Sequence, residues 1–174
     1  MERIKRNPGG YGLALGGTIG IVSILFSWVS VTNTVTNVTT SVPAHGTVSG
    51  QTLGLIGLLA VISGLGVAAS AGGGRILWAI LGLLSAGTIL VAGLVAIFSP
   101  EKIAQLFATT ELISKLRLTG VTDSASDSIK SGFASGDLTA RVAFGAIVGL
   151  AGGALGVLGA LLGFGKKQPK PDDD

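Results

Sequence analysis

The sequence predicts an all-α integral membrane protein: a four-transmembrane-helix bundle with a small extracytoplasmic cap, made of a β-hairpin in the first outer loop and an amphipathic helix in the second. Three observations lead there. Charged residues form only 12% of the chain, against about 25% in soluble domains, and the mean hydropathy is +0.70. Every charged side chain avoids four apolar runs, at residues 13–31, 52–71, 76–98 and 142–164. Each run holds about 19–23 residues, which at roughly 1.5 Å per residue crosses a hydrocarbon core of about 30 Å. The chain therefore reads as a single membrane domain with outer loops at 32–51 and 99–141 and a cytoplasmic tail at 165–174.

The first run follows MERIKR. It exceeds the 7–15 apolar residues usual for a secretory signal and no A-x-A-like cleavage site follows, so it is expected to remain as an uncleaved helix. The first outer loop contains VSVTNTVTNVTTSV, rich in β-branched residues that suit a pleated strand. Val29, Val31 and Val35 occupy odd positions, whereas Val38, Val42 and Val48 occupy even ones. That switch places a turn near Thr36 and Asn37, with a third short strand expected at Gly46 to Ser49. The second and third runs are separated by Gly72 to Arg75, a tight turn with a positive anchor.

The second outer loop opens on a helix start signal: Ser99 as N-cap, Pro100 at the first position, and Glu101 at the positive end of the dipole. A helix is expected from there to about Leu116, with Ile103, Leu106, Phe107, Ile113 and Leu116 as its apolar stripe, lying along the membrane surface or under the hairpin. A short helical turn is expected around Asp127 to Phe133, and Asp137 as the N-cap of the fourth membrane helix.

Orientation follows the basic residues. Arg3, Lys5, Arg6, Arg75, Lys166, Lys167 and Lys170 fall in about 26 residues on one side, whereas Lys102, Lys115, Arg117, Lys130 and Arg141 fall in about 63 on the other, which puts both termini in the cytoplasm. Tyr11, Trp78 and Phe164 then mark the inner interface and Trp28, Phe98 and Phe144 the outer one, as membrane-interface anchors together with Arg75.

The fourth run carries the most informative pattern. Gly145, Gly149, Gly152, Gly153, Gly156, Gly159 and Gly163 project within roughly 120° of arc at about 100° per residue, away from the leucines. The first run has a matching row, Gly12, Gly16, Gly20, Ser23 and Ser27. Small residues let helix backbones approach closely in lipid, so these rows are expected to meet each other or a partner subunit.

Chemistry-bearing residues are sparse. No Cys is present, which removes disulfides, thiolate metal sites and cysteine nucleophiles. The apolar runs hold no ionisable group of the kind that ion-coupled transporters and channels retain. His45 stands in an outer turn without a ligand set and reads as solvated. Gly72 to Arg75 lacks the order of a phosphate loop, and Asp123, Asp127 and Asp137 lack the spacing of a calcium loop. Serines of the second loop have no histidine to activate them. Asn37-Val38-Thr39 is formally a glycosylation sequon on an outer loop. The tail KKQPKPDDD reads as a disordered end beside anionic headgroups.

Trp28 closing the first run, VSGQTLGLIGLL opening the second, the glycine turn with Arg75, and the glycine-rich third run resemble the small four-helix membrane proteins found beside tryptophan biosynthesis genes in actinobacteria. The resemblance covers residues 12 to 98. It implies a bacterial plasma-membrane protein and carries over no functional residue. The layout is also similar to claudin-type tetraspan proteins, without that family's paired loop cysteines. The function expected from these features is a non-enzymatic accessory or structural subunit of a larger membrane assembly. Its expected partners are membrane lipid and other membrane protein subunits or a second copy, with no cofactor, metal or nucleic acid. Carriage of a neutral or lipid-like ligand, and claudin-like self-association, are the alternatives.

Overall fold

The computed structural model describes residues 7–70, 72–118 and 124–165. The basic clusters at both ends, the tail and Asp123 lie outside the described residues. Four helices form the body: α1 (Pro8–Ser23), α2 (Val48–Ala69), α3 (Gly73–Phe98) and α7 (Phe144–Phe164). They pack in a ring, α1 on α2, α2 on α3, α3 on α7, and α7 back on α1. Three of them, α2, α3 and α7, are long and apolar enough to cross a membrane. The shorter α1 has 16 residues.

At one end of the ring sits a cap. It contains β1 (Ser27–Asn33), β2 (Val38–Pro43), α4 (Pro100–Leu106), α5 (Thr110–Lys115), α6 (Ala125–Ser135) and β3 (Leu138–Val142). The strands form an antiparallel sheet in the order β2-β1-β3. The turn from β1 to β2 spans residues 34–37, and Asn37 adopts φ 55 there, a left-handed conformation that asparagine tolerates.

The sheet's register explains the uncharged valine and threonine stretch. Val29 faces Val42 and Val142, and Val31 faces Thr40 and Ala140, so one face is apolar. Val29, Val31 and Val42 are buried over Ile103, Phe107 and Ile129 from the cap helices. On the other face Ser30 pairs with Ser41 and Thr32 with Thr39, whose hydroxyls share a 2.9 Å hydrogen bond. One strand pair thus has an oily underside and a hydroxyl-covered outside.

Several boundaries differ from expectation, each for a physical reason. The first run does not stay helical to residue 31: α1 ends at Ser23, and the β-branched Val29 and Val31 join the sheet. Trp28 closes that helix end, its indole Nε1 donating to the Ser23 carbonyl at 3.0 Å. Gly46 to Ser49 forms no strand, because Thr47 caps α2 by accepting from the Gly50 amide. The third strand is β3 instead. Asp137 therefore leads into a strand rather than capping a helix, and α7 starts two residues later than expected, at Phe144, with no side-chain cap. The single helix expected from Ser99 to Leu116 is broken into α4 and α5, since Thr109 is extended and its hydroxyl caps the new helix by accepting from Leu112 at 3.2 Å. Ser99 holds the N-cap position of α4 without a side-chain bond. The stripe lies under the sheet, with Ile103, Phe107, Ile113 and Leu116 buried and Leu106 exposed.

Asn33 ties the cap together. Its Nδ2 donates to the Leu116 carbonyl at 2.8 Å, while its Oδ1 accepts from the amides of Val35 and Thr36. Asn33 is buried, so Asn33→Ala leaves a buried carbonyl unpaired and frees the turn, at a cost of about 2 kcal/mol. Thermal melting in detergent with limited proteolysis of residues 34–37 checks this; an unchanged midpoint contradicts it.

Candidate functional site

The small-residue rows come together inside the chain. A β-carbon on Gly152 would sit 2.8 Å from the Gly20 nitrogen and 2.9 Å from the Gly16 oxygen, and one on Gly9 would sit 2.7 Å from the Gly159 oxygen. Gly156 lies against Gly16, and Gly159 against Gly12 and Leu13. Real β-carbons do not approach backbone so closely, so α1 and α7 touch main chain to main chain along their length. At the cap end the row continues as Gly149 against Trp28 and the Ser23 hydroxyl, then Gly145 against the Ser27 carbonyl. At the far end Gly163 meets Val67 and Ala79 of the other two helices. Ser27 belongs to β1 and not to a helix face, which corrects its expected place.

A second seam escapes notice in the sequence. Gly10 and Gly17 of α1 face Gly64 and Gly57 of α2, with β-carbon positions 2.6 Å and 2.8 Å from the facing carbonyl oxygens. Both pairs are seven apart, a repeat that holds a residue on one face of a helix. α1 is therefore glycine-lined on two sides. Between the seams Leu13, fully buried, fills the middle of the ring where Gly82 of α3 and Gly156 of α7 leave room for its methyl groups. Gly153 and Gly93 complete the third seam, against Leu90 and Leu150 respectively.

The anchors divide. Tyr11, Phe98, Phe144 and Phe164 remain exposed on the surface of the ring, and Phe144 stacks edge-on to Phe26 at 5.4 Å. Trp78 is half-buried against Gly66, and Arg75 is half-buried at the start of α3. Trp28 is no surface anchor: it is 1% exposed. Its ring meets Phe107 edge-on at 5.9 Å, plugging the place where the α1–α7 seam enters the cap.

Two hollows remain. A small one of about 120 Å³ lies between β2 and α5, lined by Thr40, His45, Glu111 and Lys115. There a hydrogen bond from Lys115, at 2.6 Å, together with its charge, holds the Glu111 carboxyl below the usual carboxylate range. The pair is open to solvent, where salt screens it. A larger groove of about 360 Å³ runs between α2, α3 and α4. Among the described residues no three His, Cys, Asp or Glu side chains gather as a metal site would require. No protein-family model, curated protein or solved structure matches the chain.

The seam geometry separates glycines that matter from those that do not. Gly159→Ala drives a methyl group into the Leu13 amide and costs about 1–3 kcal/mol, whereas Gly87→Ala, with nothing within 4 Å, leaves stability unchanged or raised by up to about 1 kcal/mol. Melting both variants in the same detergent checks the contrast; equal midpoints contradict it.

Proposed function

We propose that the chain is an integral plasma-membrane protein whose ring of α1, α2, α3 and α7 spans the bilayer with both termini inside, and that it serves as a non-enzymatic accessory or structural subunit presenting its outer cap to a partner. The observation that carries this reading is the division of surfaces. Small residues are turned inward, so the ring's outside is a belt of exposed Leu, Ile and Phe such as Leu15, Leu55, Leu77, Leu158 and Phe98, which is the surface a lipid-immersed bundle needs. The α1 helix covers about 24 Å at roughly 1.5 Å per residue, and the exposed apolar Leu25 and Phe26 extend that belt toward the cap.

Because the glycine rows are used within the chain, they leave the cap as the face for protein contact. Its outer sheet surface of Ser30, Ser41, Thr32 and Thr39 is polar and carries a single charge, Arg141 opposite Ser30, a composition suited to close contact more than to long-range steering. The resemblance to the tryptophan-associated family agrees with a bacterial plasma-membrane setting.

A chain without cysteine makes topology simple to test. A single cysteine replacing Thr36 is labelled from outside intact cells by an impermeant maleimide, and one replacing Gly72 is labelled only after the membrane is opened; the reverse pattern inverts the orientation. Extraction in mild detergent followed by mass spectrometry should recover a constant partner, lost when Thr32 and Thr39 are both replaced by Lys. Isolation as a bare monomer contradicts the subunit role.

A further inference from the structure

We propose that the groove between α2, α3 and α4 holds one acyl chain of a phospholipid from the outer leaflet, with the lipid phosphate beside Lys102. The proposal rests on the membrane reading given above. At the end away from the cap α2 and α3 are close, with Gly66 seated on the Trp78 ring. Toward the cap the groove lies between them, with Leu53, Ile56, Ala92 and Val95 as its walls and Ile103 and Leu106 as its roof. The roof is fixed across the gap, because the Ser49 hydroxyl on α2 donates to the Leu106 carbonyl at 3.0 Å.

The lining decides what chemistry fits. Thr52 and Thr88 are the other hydroxyls there, and each donates to a carbonyl of its own helix, Val48 and Leu84, at 2.9 Å. The hydroxyl protons are thus already committed, so the groove suits an occupant that asks for no hydrogen bond. Its volume of about 360 Å³ is far above the roughly 10–15 Å³ that one water needs, so an extended methylene chain has room. The groove also opens on the exposed apolar surface at Val48 and Leu106, 81% and 58% exposed, so a chain can enter sideways from the bilayer. Charge complementarity places the headgroup. Lys102 is exposed on α4 one helical turn before Leu106, on the same side of that helix, while the neighbouring Glu101 lies about 100° around it.

Trp28 supplies the readout, since it is buried from bulk lipid but touches Phe107, which lines the groove. In the full chain carrying Trp78→Phe, reconstituted into vesicles of dibrominated phosphatidylcholine, Trp28 emission should be quenched relative to unbrominated vesicles. Filling the groove from one wall with Ala92→Phe, or from the other with Thr52→Phe, should abolish that quenching at an unchanged thermal midpoint. Phosphate analysis of the unmodified protein purified in mild detergent should find one retained phospholipid per chain, and Lys102→Gln should reduce retention of anionic relative to zwitterionic lipid. The proposal is overturned if Trp28 is not quenched, if both filled variants are quenched like the parent, or if purified protein retains no lipid. A protein segment, rather than lipid, cross-linking to position 92 also overturns it. Cysteine labelling at positions 36 and 72 reports membrane insertion separately, so loss of the lipid site leaves the subunit reading standing.

Discussion

Backbone contact between α1 and α7 is the constraint on which the remaining architecture depends. Inside a bilayer, helices gain nothing by hiding apolar surface from water, so association rests on van der Waals proximity and a few polar contacts. Glycine provides that proximity by removing the side chain that would hold two main chains apart. With Gly9, Gly12, Gly16 and Gly20 set against Gly152, Gly156 and Gly159, the helix axes are held together along most of the shorter partner. The cap inherits its geometry from this pair. Residues 24–26 alone separate α1 from β1, and Ala143 alone separates β3 from α7, so the central pairing of the sheet continues the helix pair upward.

The same constraint assigns the bulky residues. Leu13 fills the ring's interior together with Ile89 and Val67, and it fits because Gly82 and Gly156 give way to it. Other leucines, among them Leu158, Leu161 and Leu162 on α7, face outward. A helix with glycine on two sides, as α1 has, contributes little apolar side-chain volume to its seams and much close main-chain contact. The polar groups at its cap end are settled locally, the Ser23 hydroxyl donating to Gly20 and the Trp28 indole donating to Ser23. No water is needed to finish that helix.

Much of this was legible in the residues. Charge avoidance located α2, α3 and α7 to within about a turn of their observed ends, and projecting the last run at 100° per residue singled out glycines of α7 that the structure divides between α1, α2 and α3. Other features were hidden for definite reasons. Hydropathy does not distinguish a helix from a strand, so the change at Ile24 inside one apolar run left no mark on it; only the valine spacing after Trp28 carried the signal. Trp28 itself stands where an interface anchor would stand, and the bond from its indole to Ser23 is what reveals a plug. β3 is five residues long and takes its register from β1, more than a hundred positions earlier, as the Ser30–Arg141 pair shows. Nothing local announces such a partner. The Gly10, Gly17, Gly57 and Gly64 repeat was readable but is diluted among 29 glycines.

The wide sequence gap between β1 and β3 has a consequence for how the molecule is made. Synthesis delivers α1 and β1 well before α7, so the first helix keeps one glycine flank bare until the residues from Phe144 onward have been made. Meanwhile β1 has β2 on one edge and nothing on the other. An unpaired strand edge of this kind is a template for the wrong neighbour, and the arrival of the C-terminal span closes both vacancies in a single event. Assembly thereby waits on β3 and α7, and a chain that stops short of Leu138 lacks both the strand that pairs the free edge of β1 and the helix that covers α1.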